Sequence, residues 1–123
     1  MANPFHKYLG KEDKLQHAIV RHIEFQYPNL IFTHCSNEGK RTPFERYKLK
    51  YLGAKAGIPD LLIFTPNKKY NGLAIELKVN YNKPTEKQKE WIDLLIKCGW
   101  YACWLNNHDK VIELLEKYLN NDL

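Results

Sequence analysis

Apolar residues recur at three- and four-residue spacing in several stretches of the chain, which is the spacing of one helix face. From Lys11 to about Tyr27 the apolar positions are Leu15, Ala18, Ile19 and Ile23. Pro28 should end this helix. The same spacing predicts an amphipathic helix over 85–98, with Trp91, Leu94 and Leu95 on its inner face, and a closing helix over about 109–119.

Short β-rich runs separate these helices and predict strands over 30–35, 60–64, 73–79 and 100–105. The second and third strands are close in sequence, which favours an antiparallel hairpin. A helix lies between the third and fourth strands, which favours a right-handed crossover and parallel pairing. We therefore expect an α/β fold, with a mixed four-stranded sheet and helices on its faces.

The length of 123 residues suits one domain. Pro4 and Gly10 disfavour helix at the start, so we expect a flexible N-terminal arm over 1–10 and a single domain over 11–123. No apolar run approaches a membrane span, and the start lacks the apolar stretch of a signal peptide. These features predict a soluble, cytoplasmic protein.

Two compositional features change this picture slightly. The net charge of +5 favours a polyanionic partner such as nucleic acid, without identifying one. The three cysteines, Cys35, Cys98 and Cys103, lack the spacing of a zinc site. We expect all three to be reduced and to pack in the core as small apolar side chains.

The predicted strand 73–79 carries two charges among apolar residues. Side chains alternate along a strand, so Ala74, Glu76 and Lys78 share one face. If this face is covered, the charges need compensation, because burying an unpaired ion is costly. The alternative is a Glu–Lys pair on a solvated sheet face.

Asp60 favours the buried interpretation. It follows Pro59 at the start of the preceding strand, where proline is tolerated. Hairpin pairing would bring Asp60 close to Glu76 or Lys78. Two converging carboxylates repel each other unless a divalent cation lies between them, and hard oxygen ligands suit Mg²⁺ or Mn²⁺. Such a metal would polarise a phosphate and activate water, with Lys78 offsetting the developing negative charge.

Pro59-Asp60, followed after fifteen residues by Glu76-Leu77-Lys78, resembles the PD-(D/E)XK signature of restriction-endonuclease-like nucleases. The wider pattern resembles the VRR-NUC family within that superfamily. It includes the stretch 57–62, the helix segment 85–91 and Gly99-Trp100. The resemblance covers roughly residues 11 to 105 and implies an αβββαβ core.

The resemblance also implies roles for particular residues. Asp60 and Glu76 would be metal ligands together with the carbonyl of Leu77, and Lys78 would be the catalytic lysine. The family tends to place a Glu of its first helix near the metal, and here Glu12 is the best match. Asp13 and Gln16 are weaker alternatives. An acidic residue at position 12 is also explained by the favourable macrodipole at a helix N-terminus.

Two further segments have both a structural and a functional interpretation. Thr85-x-x-Gln88 is a capping box, whereas the resemblance implies that Gln88 faces the active site, and both can hold. Asn37 and Gly39 match a polar loop that such sequences often carry near the site, although a plain turn also explains them. Trp91, Trp100 and Trp104 fit the core better than a base-stacking surface.

A basic connector precedes Asp60. Its cations alternate with Phe44, Tyr47 and Tyr51, and 43–52 is a candidate helix within it. We expect this connector to contact DNA phosphates through Lys40, Arg41, Arg46, Lys48, Lys50 and Lys55. Lys83 is a further candidate. The alternative is a solvated run of charges. Nothing in the connector resembles a base-reading helix, so DNA shape should matter more than sequence.

The resemblance implies a Mg²⁺-dependent endonuclease, with Mn²⁺ as a substitute, acting on branched DNA such as Holliday junctions. Small members of this type are expected to be homodimers, since two sites can then cut two strands. A phage-encoded nuclease acting in the host cytoplasm fits this pattern. The alternatives are a non-catalytic DNA-binding module of the same fold, or a nuclease for linear duplex ends or RNA.

Overall fold

The computed structural model describes residues 3–35 and 41–123. Its helices are α1 (Lys11–Gln26), α2 (Pro43–Tyr51), α3 (Glu86–Lys97) and α4 (His108–Leu119). Its strands are β1 (Phe32–His34), β2 (Leu61–Ile63), β3 (Leu73–Leu77) and β4 (Tyr101–Leu105). The exposed N-terminal segment contains a short 3-10 turn at His6–Tyr8. The predicted elements are all present, although the strands are shorter than the sequence suggested.

The four strands form one sheet in the order β1-β2-β3-β4. Both β1–β2 and β2–β3 are antiparallel, while β3 and β4 pair in parallel across the α3 crossover. The hairpin, the crossover and the mixed four-stranded sheet with flanking helices are therefore confirmed. None of the helices within residues 3–35 and 41–123 is both long and apolar enough to span a membrane.

Strand alternation divides the interior into two layers. Leu73, Ile75 and Leu77 point to one side of the sheet, where they pack against apolar residues of α1 and α4. Ala74 points to the other side, where it packs with Ile92 of α3. The first layer is the larger and fully apolar. The charged residue of β3, Glu76, lies on the side of α3, where Gln88 contacts it, so α3 is the helix that covers the candidate site.

The inner face of α3 differs from the prediction. Leu94 is exposed, whereas Gln88 and Ile92 are buried and Leu95 is half-buried. Residues 88, 92 and 95 lie on one helical stripe, at four- and three-residue spacing. Relative to the prediction, α3 is rotated about its axis, and a polar residue, Gln88, is the first residue of its buried face.

Two other expectations about buried side chains are wrong. Trp104, on the edge strand β4, is 38% exposed. Cys98 is exposed at the C-terminus of α3, while Cys35 and Cys103 are partly buried. Trp91 and Trp100 are partly buried as well.

Candidate active site

Asp60 and Glu76 meet at one end of the sheet. β2 pairs Leu61 with Ile75 in antiparallel register, and extending that register by one residue sets Asp60 opposite Glu76. The carboxylate of Asp60 reaches β3 directly, since its Oδ2 accepts a hydrogen bond of 2.8 Å from the backbone N–H of Leu77. Both acidic residues are buried, with Asp60 9% exposed and Glu76 1% exposed.

The backbone of Asp60 is fixed from the opposite side, by β1 and the residue after it. The carbonyl oxygen of Asp60 accepts a 2.8 Å hydrogen bond from the N–H of Cys35. It also lies 3.0 Å from Nδ1 of His34. A carbonyl can only accept, so Nδ1 must carry the proton. Asp60 is therefore held between its two neighbouring strands, which fixes the direction of its side chain.

The chain reaches Asp60 by passing against the first turn of α3. Gly57 has φ +96°, and a Cβ at this position would lie 2.7 Å from the carbonyl oxygen of Lys87. No side chain fits there, so glycine permits both the left-handed backbone and the close approach. Pro59 is fully buried immediately before Asp60. The Gly57–Asp60 segment thus brings β2 and the start of α3 together.

Gln88 joins the start of α3 to Glu76. Its Oε1 accepts a hydrogen bond of 2.8 Å from the N–H of Thr85, and its own N–H donates to Thr85 Oγ1 at 3.2 Å. Its Nε2 donates to Glu76 Oε1 at 3.2 Å. The capping box and the contact with Glu76 are both present, because the two ends of one amide serve them separately.

Lys78 immediately follows β3 and is only 7% exposed. Its backbone N–H donates to the carbonyl of Leu105 at 2.9 Å, which continues the pairing with β4. None of the ion pairs formed among residues 3–35 and 41–123 includes Lys78. Glu76 and Lys78 are both buried, so the alternative of a solvated Glu–Lys pair is wrong.

The donors at this end of the sheet fit a hard divalent cation. Asp60 and Glu76 supply carboxylate oxygens and Leu77 a backbone carbonyl, and Mg²⁺ prefers oxygen ligands while keeping several waters. Among the described residues, no cluster of three or more His, Cys, Asp or Glu side chains could hold a metal ion. Within the part of the chain that the structure describes, Asp60 and Glu76 are thus the carboxylates considered at this end of the sheet.

The structure does not bring the candidate acids of α1 into such a cluster. Glu12 is half-buried in the first turn of α1. Asp13 accepts a 2.9 Å hydrogen bond from the N–H of Gly10, which caps the helix. Gln16 is half-buried one turn further along. The structural role of Asp13 makes it the weaker candidate.

A pocket of about 140 Å³ opens beside Asp60. Its lining includes Cys35, Gly57, Asp60, Lys87 and Gln88. The pKa of the Cys35 thiol is raised, first by burial and then by the nearby charge of Asp60. Both effects favour the neutral thiol over the thiolate beside Asp60.

The sequence and the fold of this domain are similar to those of known proteins. The family model for the VRR-NUC domain matches residues 10–108, which is most of the chain. The chain belongs to the VRR-NUC family. A solved structure named "VRR_NUC domain protein" is similar at 30% sequence identity and a TM-score of 0.74, covering 91% of this chain and 90% of its own. No functionally curated protein matches the sequence. The fold is accordingly a nuclease-type fold.

A basic groove of about 360 Å³ adjoins the pocket of this VRR-NUC domain, and the two share Ala56 and Lys87. Five cations line the groove: Arg41, Arg46, Lys50, Lys55 and Lys87. Four of these belong to the basic connector. Lys87 was not predicted from the sequence, and the only available signal was its position beside Gln88 in the first turn of α3.

The remaining residues predicted to contact DNA or to lie near the site do not line this groove or lie outside the described residues. Lys48 and Lys83 are exposed and do not line this groove. Lys40, Asn37 and Gly39 fall outside the described residues. The groove therefore brings together four of the predicted cations, two from α2 and two from the segments that flank it, and adds one from α3.

Proposed function

We propose that this VRR-NUC domain is a Mg²⁺-dependent endonuclease that hydrolyses DNA phosphodiester bonds. The observation that carries the proposal is the hydrogen bond from Leu77 N–H to the Asp60 carboxylate beside Glu76. It ties two buried acids to one short stretch of β3, with Lys78 one residue further on. A cluster this costly to bury is not needed for the apolar packing of the sheet.

Asp60, Glu76 and the carbonyl of Leu77 would hold Mg²⁺, which when bound polarises the scissile phosphate and activates a water molecule. Lys78 supplies a buried positive charge that offsets charge developing on the phosphate oxygens. Gln88 holds one oxygen of Glu76 through its amide and so fixes the orientation of that carboxylate. Asp60 is oriented by its bond to Leu77.

The basic groove supports DNA as the substrate. Five cations line it, and it adjoins the pocket beside Asp60. Binding to phosphates releases counterions, so affinity should fall steeply as salt increases. We further propose that the substrate is branched DNA, such as a four-way junction, and that the active species is a homodimer.

Cleavage of labelled DNA with Mg²⁺ and with Mn²⁺ tests the proposal. Glu76→Gln should abolish cleavage yet retain binding, because the variant keeps the shape of the side chain and removes its charge. Lys78→Ala should reduce the rate by about 10²–10³-fold. Lys110→Ala removes an exposed cation of α4, on the other side of the sheet, and should cleave as the wild type does.

Cleavage retained in both Glu76→Gln and Lys78→Ala would reject the site. Absence of metal-dependent cleavage by the wild type would favour the non-catalytic DNA-binding module. The panel should compare four-way junctions, flaps, single strands, linear duplex and RNA at equal salt. Light scattering of the same samples measures the oligomeric state, and a monomer that cuts junctions would remove the dimer from the proposal.

A further inference from the structure

Helix α2 follows β1 and precedes β2 along the chain, and its side chains contribute little to the core. None of its residues is buried, and only Leu49 is half-buried. Its start is stabilised locally, with Pro43 in the first turn and Thr42 Oγ1 accepting from the N–H of Glu45 at 3.1 Å. A helix of nine residues with so little burial is marginal by itself in water. Core packing therefore does not explain its side chains.

The residues of α2 fall on two adjacent faces. Successive residues are about 100° apart around a helix, so Arg46 and Lys50 lie on one side, where they line the basic groove. Phe44, Tyr47 and Tyr51 lie on the next side and form what we term the aromatic stripe. Their exposed fractions are 69%, 66% and 78%. The rings of Tyr47 and Tyr51 are stacked, with centroids 6.2 Å apart and planes at 26°.

The surroundings of the aromatic stripe favour nucleic acid over protein as its partner. Protein interfaces are enriched in aromatic residues and arginine but depleted of lysine. Here lysines flank the stripe on both sides, with Lys50 beside Arg46 on one side and Lys48 on the other. Surfaces that bind single-stranded nucleic acid combine a cationic groove for the backbone with aromatic rings that stack on bases. Here the basic groove supplies the cations for the backbone, and the aromatic stripe supplies the rings for the bases.

We propose that the aromatic stripe stacks on unpaired bases of a strand whose phosphates lie in the basic groove. The domain would then prefer DNA with unpaired nucleotides next to the cut site over fully paired duplex. This inference rests on the proposed function in one respect, since it takes the groove to bind nucleic acid. It adds a substrate class, because bases inside a duplex are already stacked and cannot leave their neighbours without cost.

Binding in EDTA tests the inference without requiring cleavage. The probes are a fluorescent flap DNA with an unpaired arm and a fully paired duplex of equal length, at fixed salt. The variant Tyr47→Ala/Tyr51→Ala should bind the flap about ten- to a hundredfold more weakly, with little change for the duplex. Tyr47→Phe/Tyr51→Phe keeps the rings and should bind as the wild type does. Phe25→Ala removes an exposed ring of α1 and is the matched control.

A second readout reports the stacking itself. A 2-aminopurine in the unpaired arm should be quenched by the wild type and by the phenylalanine variant, but not by the alanine variant. Equal weakening on flap and duplex, or no weakening on either, would overturn the inference. A third outcome would also overturn it: the wild type is a dimer, and the alanine variant is a monomer that still prefers the flap. The stripe would then join two copies of the chain.

The two proposals can fail separately. If cleavage depends on Glu76 but the alanine variant retains wild-type flap preference, only the stacking inference is rejected. If the alanine variant loses flap preference while no metal-dependent cleavage is found, the stripe binds unpaired bases and the nuclease proposal is rejected.

Discussion

The carboxylate of Asp60 accepts a 2.8 Å hydrogen bond from the backbone N–H of Leu77, between Glu76 and Lys78. Leu77 is fully buried, so its N–H has no water to replace this acceptor. One carboxylate oxygen of Asp60 therefore has a structural role, as the hydrogen-bond acceptor for this buried N–H. The same residue is the proposed metal ligand, and its two roles can be separated by substitution.

Asp60→Ala should lower the free energy of unfolding by about 1–3 kcal/mol, since it leaves a buried N–H unpaired. Asp60→Asn keeps an acceptor oxygen and should unfold close to the wild type in urea. Both variants should lose metal-dependent cleavage, because neither offers a carboxylate at position 60. An active Asp60→Asn enzyme would show that this charge is not needed at the site.

Gln88 can be tested against Thr85, its partner in the capping box. Each alanine substitution removes one side chain of the box and should lower the free energy of unfolding by about 1 kcal/mol. Only Gln88→Ala also removes the hydrogen bond to Glu76. We therefore expect Thr85→Ala to retain cleavage and Gln88→Ala to lose much of it, measured well below both unfolding midpoints. Equal cleavage rates in the two variants would show that Gln88 caps the helix and has no further role at the site.

Two glycines with similar backbone angles differ in the space around them. Gly57 has φ +96° and its absent Cβ faces the Lys87 carbonyl, whereas Gly53 has φ +100° and nothing within 4 Å. Gly53→Ala should cost about 1 kcal/mol for the left-handed backbone alone. Gly57→Ala adds the clash and should cost about 3 kcal/mol. It should also slow cleavage, because the start of α3 must move away from Asp60. Comparable unfolding midpoints would contradict this.

The cysteines should differ in their reaction with a thiol reagent. Cys98 is exposed, whereas burial raises the pKa of Cys103 to about 11. The thiolate is the reactive form, and with this pKa only about one Cys103 in a thousand is ionised at pH 8. Labelling at pH 8 should therefore modify Cys98 first, and Cys98→Ser should lose this fast phase. The rate at Cys103 should rise with pH up to about 11.

Cys35 provides an independent probe of the pocket. It is partly buried, and burial with the charge of Asp60 raises its pKa. Bound DNA should slow its labelling in the Cys98→Ser background, since the pocket it lines adjoins the basic groove. Unchanged labelling at saturating DNA would mean that the substrate does not enter this pocket.

Much of the site could be predicted because it depends on local rules. Strand alternation put Glu76 and Lys78 on one face of β3, and the short hairpin put Asp60 across from them. The capping box at Thr85 and Gln88 was likewise predicted. These features need only the period of a strand or the first turn of a helix.

The parts that could not be predicted depend on how elements approach each other. The groove needs α2 to stand beside the first turn of α3, which depends on the backbone contact at Gly57. The exposure of Trp104 depends on which residues of β4 the neighbouring elements cover, since Ala102 on the same strand is buried. The orientation of α3, which buries Ile92 and exposes Leu94, goes together with the packing of Ile92 on the sheet and the contact of Gln88 with Glu76. None of these relations leaves a periodic signal in the sequence.

If α2 binds the substrate as proposed, the absence of buried side chains in this helix separates recognition from folding. Substitutions on this helix change the surface offered to a substrate while leaving both apolar layers and the acidic pair untouched. Relatives could therefore diverge in which DNA they choose without first gaining stability to spare. For the same reason, the proposal makes α2 the segment to randomise in a search for altered DNA preference.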